Sequence, residues 1–344
     1  MLDKHTTIAV IGAGAIGGVT AAALKIANRN VRLVCKHAEI AERASTSGLH
    51  ITGLKGSRTV KLDAVPAIKD LDGPVDLVLL ATKATACVAA ATDLLPFLKS
   101  DSVVVSLQNG ICEEDLAKVV GRDRIVGCVV GWGASMLGPG ELEITSDGDF
   151  IVGNIDNQPD DNLPYVRDLL DNVVPTRISD NIMGELYAKL IINACINSLG
   201  VIAGVRLGKL LANRQARRIF IAIMREAMDV ATALEITVER GGGGKLDYYR
   251  FLAGDGFVAN LKRHLFIKAI GFKYRRIKSS SLQSIERGRQ TEIDHLNGYI
   301  VNNGGSRGVS VPINSAVVAM VKEIESGRRQ MGYANLDDAV FRGL

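Results

Sequence analysis

Three glycines at one end of the chain and three polar side chains near its middle carry most of the chemical content of this sequence. Gly12, Gly14 and Gly17 punctuate the run Gly12-Ala13-Gly14-Ala15-Ile16-Gly17. Between a strand and a helix, glycines at this spacing permit a tight turn, let the backbone approach a pyrophosphate and let the helix pack close to the strand. The helix N-terminus then offers unpaired N–H groups to phosphate. The flanks supply that context, because residues 7–11 are apolar and β-rich while residues 19–27 form an alanine-rich helical stretch. A glycine run alone can be an incidental turn; inside a βαβ unit it predicts a dinucleotide site.

An NAD-type unit usually places Asp or Glu about twenty residues past the turn, where it accepts from the ribose hydroxyls. Here Val34 is followed by Cys35, Lys36 and His37. A cation at that point suits the 2′-phosphate of NADP, which makes Lys36 the expected determinant. The plainer reading of Lys36 is a solvated loop lysine.

Lys189, Asn193 and Asn197 recur four residues apart among apolar neighbours, so they share one face of a helix. Burying such a stripe is costly unless each group has a partner or ligand, and the bland alternative is the exposed face of an amphipathic helix. Asn109, in the segment Ser106-Leu107-Gln108-Asn109-Gly110, follows an apolar strand and lies at the carboxyl edge where open α/β sheets bind ligands. It can meet a cofactor or substrate, or it can simply form an Asn-Gly turn. Further on, Ser279, Ser280 and Ser281 can cap a helix that is expected to carry Glu292 and Asp294.

The elements that must position these groups follow from periodicity. Apolar strands at 7–11, 31–35, 75–81 and 102–107 alternate with helical segments, which predicts a parallel sheet covered on both faces. Further strands are expected at 125–130, 141–144 and 150–153. From residue 182 the period becomes helical, over 182–199, 217–234, 282–301 and 314–325. The expected architecture is α/β, an N-terminal Rossmann-type doubly wound sheet over 1–177 followed by an all-helical domain over 178–344. A chain of 344 residues is also long for one core. The run Gly241-Gly242-Gly243-Gly244 is expected to be a flexible loop.

Composition narrows the partners. Lys and Arg total 41 against 37 Asp and Glu. That surplus is far from the footprint of a dedicated nucleic-acid binder, and no helix-turn-helix, zinc pair or RNA-binding signature is found. Five scattered cysteines without a CxxC argue against a metal site or a disulfide framework, and the N-terminus shows no leader or spanning segment. These features predict a cytoplasmic protein with a small-molecule ligand and neither nucleic acid nor membrane as partner. The long helices offer apolar surface for a homodimer.

Together the motifs resemble the ketopantoate reductase (2-dehydropantoate 2-reductase) family, NADP-dependent enzymes that join a Rossmann domain to a helical domain. The resemblance covers nearly the whole chain. It is carried by GAGAIGG at 12–18, Lys83-Ala84, LQNG at 107–110, KLIINACIN at 189–197 and SSSLQSIERGRQTEIDHLNG at 279–298, followed by Pro312 and Asn314. It implies NADP(H) as cofactor and a 2-keto acid as substrate, with Lys189 polarising the keto oxygen and supplying the proton. Glu292 would be the acidic partner of Lys189, Asn109, Asn193 and Asn197 would orient substrate and nicotinamide, and Ser280 would hold the substrate carboxylate. Lys83 would lie near the adenosine phosphate. Substrate is expected between the two domains, whose closure would assemble the site.

Several positions depart from the family pattern. Tyr187 stands where a Trp is typical, Ser284 replaces a common aspartate, and Leu207 and Ile277 occupy positions where other members carry asparagines that reach the substrate hydroxyl. Losing such amides weakens recognition of a hydroxyl, which opens the reading of a paralogue acting on another 2-keto acid. The stretch 241–278 looks long and is locally basic, either a solvated face or an electrostatic funnel for anions. Opine, hydroxyisobutyrate and glycerol-phosphate dehydrogenases share this architecture and remain alternatives, with a non-enzymatic NADP-binding regulator the most distant.

Overall fold

Strands that are apolar along their whole length must be covered on both faces, and strands of this kind form the centre of the first unit. The computed structural model describes residues 2–344. The chain divides into two compact units, one ending at Leu186 and one running from Tyr187 to Leu344.

The strands of the first unit are β1 (Ile8–Ile11), β2 (Val31–Val34), β3 (Leu49–Gly53), β4 (Arg58–Val60), β5 (Asp63–Val65), β6 (Val75–Leu80), β7 (Leu98–Ser106), β8 (Ile125–Val130), β9 (Gly133–Gly138), β10 (Glu141–Ser146), β11 (Phe150–Asn154) and β12 (Thr176–Ile178). Eight form one sheet in the order β12-β11-β8-β7-β6-β1-β2-β5. Every pairing in it is parallel except β11 against β8. Helices Ala15–Ile26, Ala38–Thr46, Ala84–Leu94 and Glu113–Val120 follow β1, β2, β6 and β7 as crossovers should.

A second sheet has the order β4-β3-β10-β9 and contains the strand expected at 141–144. β3 and β10 alternate, burying Leu49, Ile51, Leu142 and Ile144 on one face. Gly18 allows helix Ala15–Ile26 to pass over that face, since a Cβ there would lie 2.6 Å from Leu142 Cδ1. The helix that opens at the glycine turn is thus held by two sheets.

The second unit contains no strand among the described residues, only helices and short turns. Helix Ile182–Ala203 is long and apolar enough to cross a membrane, yet 78% of its apolar window is buried, as suits a core helix. Helix Pro312–Glu325 begins with Pro at its first turn, and Glu226 of helix Arg214–Ala233 accepts from the backbone N–H groups of Ile313 and Asn314 at 2.8 Å each. The Asn314 amide donates to Glu226 at 2.7 Å and accepts from Asn297 Nδ2 at 2.9 Å.

Two expectations for this unit need correction. The stretch 282–301 is three pieces, Ser280–Glu286, a 3-10 turn Ile293–His295 and Asn297–Ser306. Gly288 ends the first piece with φ 65, and the backbone N–H of Thr291 turns away to Glu325 Oε1 at 2.6 Å. Leu282, Ile293, Leu296 and Ile300 are nonetheless buried, so the period survives a break in the backbone. The glycine run is a closed turn, not an open loop. Gly242 and Gly243 are left-handed at φ 63 and 68, and Gly241 exchanges backbone hydrogen bonds with Leu246 at 2.9 and 3.0 Å.

Candidate active site

β7, β6, β1 and β2 lie side by side, and their last residues are in register: Ser106 with Leu80, Leu80 with Ile11, and Ile11 with Val34. Four parallel strands ending level present four loops along one edge of about 14 Å. Each loop carries a residue singled out from the sequence. The glycine turn leaves β1, Lys36 follows β2, Lys83 follows β6 and Asn109 follows β7.

The glycines do distinct work in that turn. Gly12 has φ 110, and a Cβ there would meet the Ala81 carbonyl oxygen at 2.9 Å. Gly17 packs on the turn so closely that a Cβ would collide with the Gly12 carbonyl oxygen. Gly14 is exposed at the N-cap of helix Ala15–Ile26, with no atom within 4 Å of where a Cβ would stand. The space beside Gly14 is therefore open, as the close approach of a ligand to a helix N-terminus requires. Ala13 is buried, Ala15 and Ile16 are half-buried, and Lys36 and Lys83 are exposed, Lys83 at the N-cap of helix Ala84–Leu94.

Asn109 is half-buried in a loop fixed by its neighbours. Gln108, buried, donates to the carbonyl oxygens of Leu80 at 2.7 Å and Thr82 at 3.2 Å, and accepts from Ser106 Oγ at 2.7 Å. Gly110, at φ 90, bends the chain directly after Asn109, as the Asn-Gly reading expects. Behind the loop the buried Glu113 accepts from the Cys112 N–H at 2.9 Å. Burial pushes its carboxyl above the usual range, opposed by bonds from backbone and Ser106. Sequence reasoning passed over Gln108 and Glu113. Their signal was an amide and an acid beside a buried strand end, where each needs a partner.

In helix Ile182–Ala203 the positions left half-buried from Lys189 onward are Lys189, Ile192, Asn193 and Ile196, one stripe of an otherwise buried helix. The polar side chains occupy that strip rather than a solvated face. At its far end Asn197 is buried and accepts from Ser280 Oγ at 3.0 Å, so the structure brings these two site residues together. Ser279 caps helix Ser280–Glu286, accepting from the Leu282 N–H at 3.3 Å, and lies against Gly200, where a Cβ would stand 2.5 Å from its hydroxyl.

Two buried tyrosines fix the backbone around Lys189. Tyr187 donates to the Ala227 carbonyl oxygen at 2.8 Å and Tyr248 donates to that of Ala188. Burial raises both phenols, which keeps them neutral donors. Tyr187 also meets Tyr299 edge to face at 6.3 Å, which ties the segment after Glu292 to the turn before Lys189. Glu292 itself is half-buried at a bend before the 3-10 turn, instead of on the expected long helix. Leu207 N–H donates to the Ile277 carbonyl oxygen at 2.9 Å, so the two apolar departures sit together, three residues before Ser280.

A family model described as ketopantoate reductase PanE/ApbA matches residues 8–157, and its C-terminal counterpart matches residues 181–325. The chain belongs to the ketopantoate reductase family. It is an oxidoreductase acting on CH–OH groups, and its cofactor is a nicotinamide dinucleotide. Among similar proteins, the 2-dehydropantoate 2-reductase of Archaeoglobus fulgidus is 25% identical over 321 residues, covering 93% of this chain and 98% of the relative. That of Pyrococcus abyssi is 28% identical over 320 residues, with coverage of 93% and 98%. Of solved structures, a PanE/ApbA family ketopantoate reductase from Ralstonia eutropha superimposes with a TM-score of 0.79 at 28% identity, covering 94% of this chain and 99% of that one. A D-mandelate dehydrogenase with NADH and anilino(oxo)acetate gives 0.79 at 26% identity, covering 93% and 98%. Family membership removes the alternative of a non-catalytic regulator.

Proposed function

We propose that this ketopantoate reductase family member reduces a 2-keto acid to the 2-hydroxy acid with NADPH in the cytoplasm, 2-dehydropantoate being the foremost candidate substrate. The observation that carries the reading is the stripe that runs from Lys189 and Asn193, on the half-buried strip of a core helix, to the buried Asn197, to which Ser280 is bonded. The bound dinucleotide would supply a hydride to the keto carbon. Negative charge then builds on the keto oxygen, where the Lys189 ammonium would stabilise it and donate the proton. Glu292 would hold that ammonium in place and favour its charged form. Asn109 and Asn193 would orient the reactants by neutral hydrogen bonds. Asn197 accepts the Ser280 hydroxyl proton and would leave its own amide N–H groups to donate to the substrate carboxylate, toward which Ser280 would turn its O–H when substrate binds.

Lys36 supports NADPH over NADH, because a cation and no carboxylate follows β2. Lys83, at the same edge, would meet the adenosine phosphate.

A second reading, a different 2-keto acid with an apolar tail, is favoured by Leu207 and Ile277, which leave no side-chain amide there to recognise a substrate hydroxyl. The D-mandelate dehydrogenase among the similar structures is compatible with that reading. Comparing kcat/KM for 2-dehydropantoate with a panel of alkyl and aryl 2-keto acids, each with NADPH and NADH, tests both. A preference for 2-dehydropantoate selects the first reading and a preference for an apolar acid the second. No reduction of any 2-keto acid would overturn both, and preference for NADH would remove Lys36 from its role.

A further inference from the structure

Glu292 sits on a stretch of chain that no helical ladder runs through. Residues 286–290 are exposed, Gly288 ends the preceding helix, and the backbone becomes buried only at Thr291, one residue before Glu292. Beyond Glu292 come the 3-10 turn Ile293–His295 and the helix that starts at Asn297. Inside the bend, Ile293 N–H donates to Thr291 Oγ1 at 3.2 Å and His295 N–H donates to the Glu292 carbonyl oxygen at 3.0 Å. A 3-10 turn this short fixes little by itself, so the placement of Glu292 depends on what holds the two ends of the bend.

Both ends are tied to helix Pro312–Glu325, which the bend follows in antiparallel order. Thr291 N–H donates to Glu325 Oε1 at 2.6 Å, Lys322 pairs with Asp294 at 2.6 Å, and Asn297 Nδ2 donates to Asn314 Oδ1 at 2.9 Å. The middle tie is about half exposed on both sides and contributes little. At the far end Asn297 and Asn314 are fully buried, and because Nδ2 of Asn314 is spent on Glu226, its oxygen must face Asn297. At the near end Glu325 holds the peptide N–H directly before Glu292. Its own helix gains nothing from that acid, because Glu325 is the last residue of Pro312–Glu325, where the carbonyl end of the helix dipole repels a carboxylate. The buried Thr291 N–H is a donor that must be met, and a charged acceptor makes the stronger bond. The bend accounts for the carboxylate where the helix does not.

We propose that Glu325 is a positioning residue for the reduction: by holding the Thr291 N–H it fixes where the chain enters Glu292, and so the direction in which the Glu292 carboxylate is presented. This inference rests on the reading of Glu292 as the acid that holds the Lys189 ammonium. Glu325 acts through one peptide group and touches no reactant in this role. Without its carboxylate Glu292 is still present, but the near end of the bend is free to shift, and a misplacement of about 1 Å at a reacting group can cost about a hundredfold in rate. A tie that served stability alone would have no such kinetic consequence.

A double-mutant cycle in the full chain tests the proposal, with NADPH and the 2-keto acid of the panel above that the wild type reduces fastest. Glu325→Ala should lower kcat about tenfold or more while the KM for the acid and the Kd for NADPH change less than about twofold. Glu325→Gln keeps an acceptor for the Thr291 N–H and should recover most of that loss. Glu292→Gln alone should lower kcat at least as far as Glu325→Ala. Adding Glu325→Ala to it should then cost less than about twofold more, because a residue that acts through another has nothing left to act on. If circular dichroism shows that Glu325→Ala does not fold, Glu325→Asp, which draws the acceptor back by one methylene, takes its place in the cycle. A wild-type kcat in Glu325→Ala, a glutamine variant as slow as the alanine one, or an equal loss in both Glu292 backgrounds would each overturn the inference and leave Glu292 in its role. A wild-type kcat in Glu292→Gln would instead remove Glu292 from the reaction, and the inference with it.

Discussion

Lys36 is the single side chain on which the proposed preference for NADPH rests. It is exposed one residue past the buried Cys35, and β2 brings it level with the glycine turn. Charge reversal there should act on NADPH alone. Lys36→Glu is expected to raise the KM for NADPH about tenfold or more, the loss of one charge-assisted contact, and to leave the KM for NADH nearly unchanged. Equal effects on both would mean that Lys36 meets no 2′-phosphate. Lys189 bears on the other half of the reaction. Lys189→Ala should lower kcat by about 10² to 10⁴ while fluorescence titration shows undiminished NADPH binding, because the proposed proton donor is lost and the glycine turn is untouched. A fully active variant would exclude Lys189 from the proton transfer.

Elements position these residues through buried polar contacts that the sequence shows only in fragments. Glu226 is the clearest, because it receives the first N–H groups of helix Pro312–Glu325 and an amide of Asn314 that also bonds Asn297. Glu226→Ala leaves those buried donors without an acceptor and should cost about 3 kcal/mol, read as a lowered urea midpoint at unchanged slope. Glu226→Gln keeps one acceptor oxygen and should cost less; equal losses would argue that packing, not capping, is at stake. The main sheet was legible because β1, β6 and β8 are almost wholly apolar, and helix Ile182–Ala203 because its period is sustained. β4, β5 and β12 were not, being three residues long and largely exposed. The break at Gly288 was hidden because the apolar period continues across it. Of the site, the glycines, Lys189, Asn193 and Asn197 declared themselves by spacing, whereas Gln108 and Glu113 acquire meaning only once β6 and β7 are seen to end level.

At the scale of the molecule, the charge is unevenly held: residues 256–285 contain seven Lys and Arg and no Asp or Glu, within a chain whose net charge is +4. The ionisations that matter for stability lie elsewhere, in two buried carboxyls. Burial raises Glu113 in the first unit and Glu226 in the second above the ordinary carboxylate range. A carboxyl whose folded pKa is raised holds its proton more tightly in the folded chain than in the unfolded one. Its contribution to stability is therefore fully present below about pH 4.3, the unfolded value, and is lost as pH rises through the folded value. Glu113→Gln isolates this effect, because Glu226 and every other group are common to both chains and cancel in the difference. The wild type should exceed Glu113→Gln in unfolding free energy by its largest margin near pH 4 and by a margin that shrinks steadily toward pH 8. A difference that grows with pH would mean that the folded state prefers the carboxylate, with the Cys112 N–H and Ser106 outweighing burial. Asn109 would then be presented by a loop built around a buried anion.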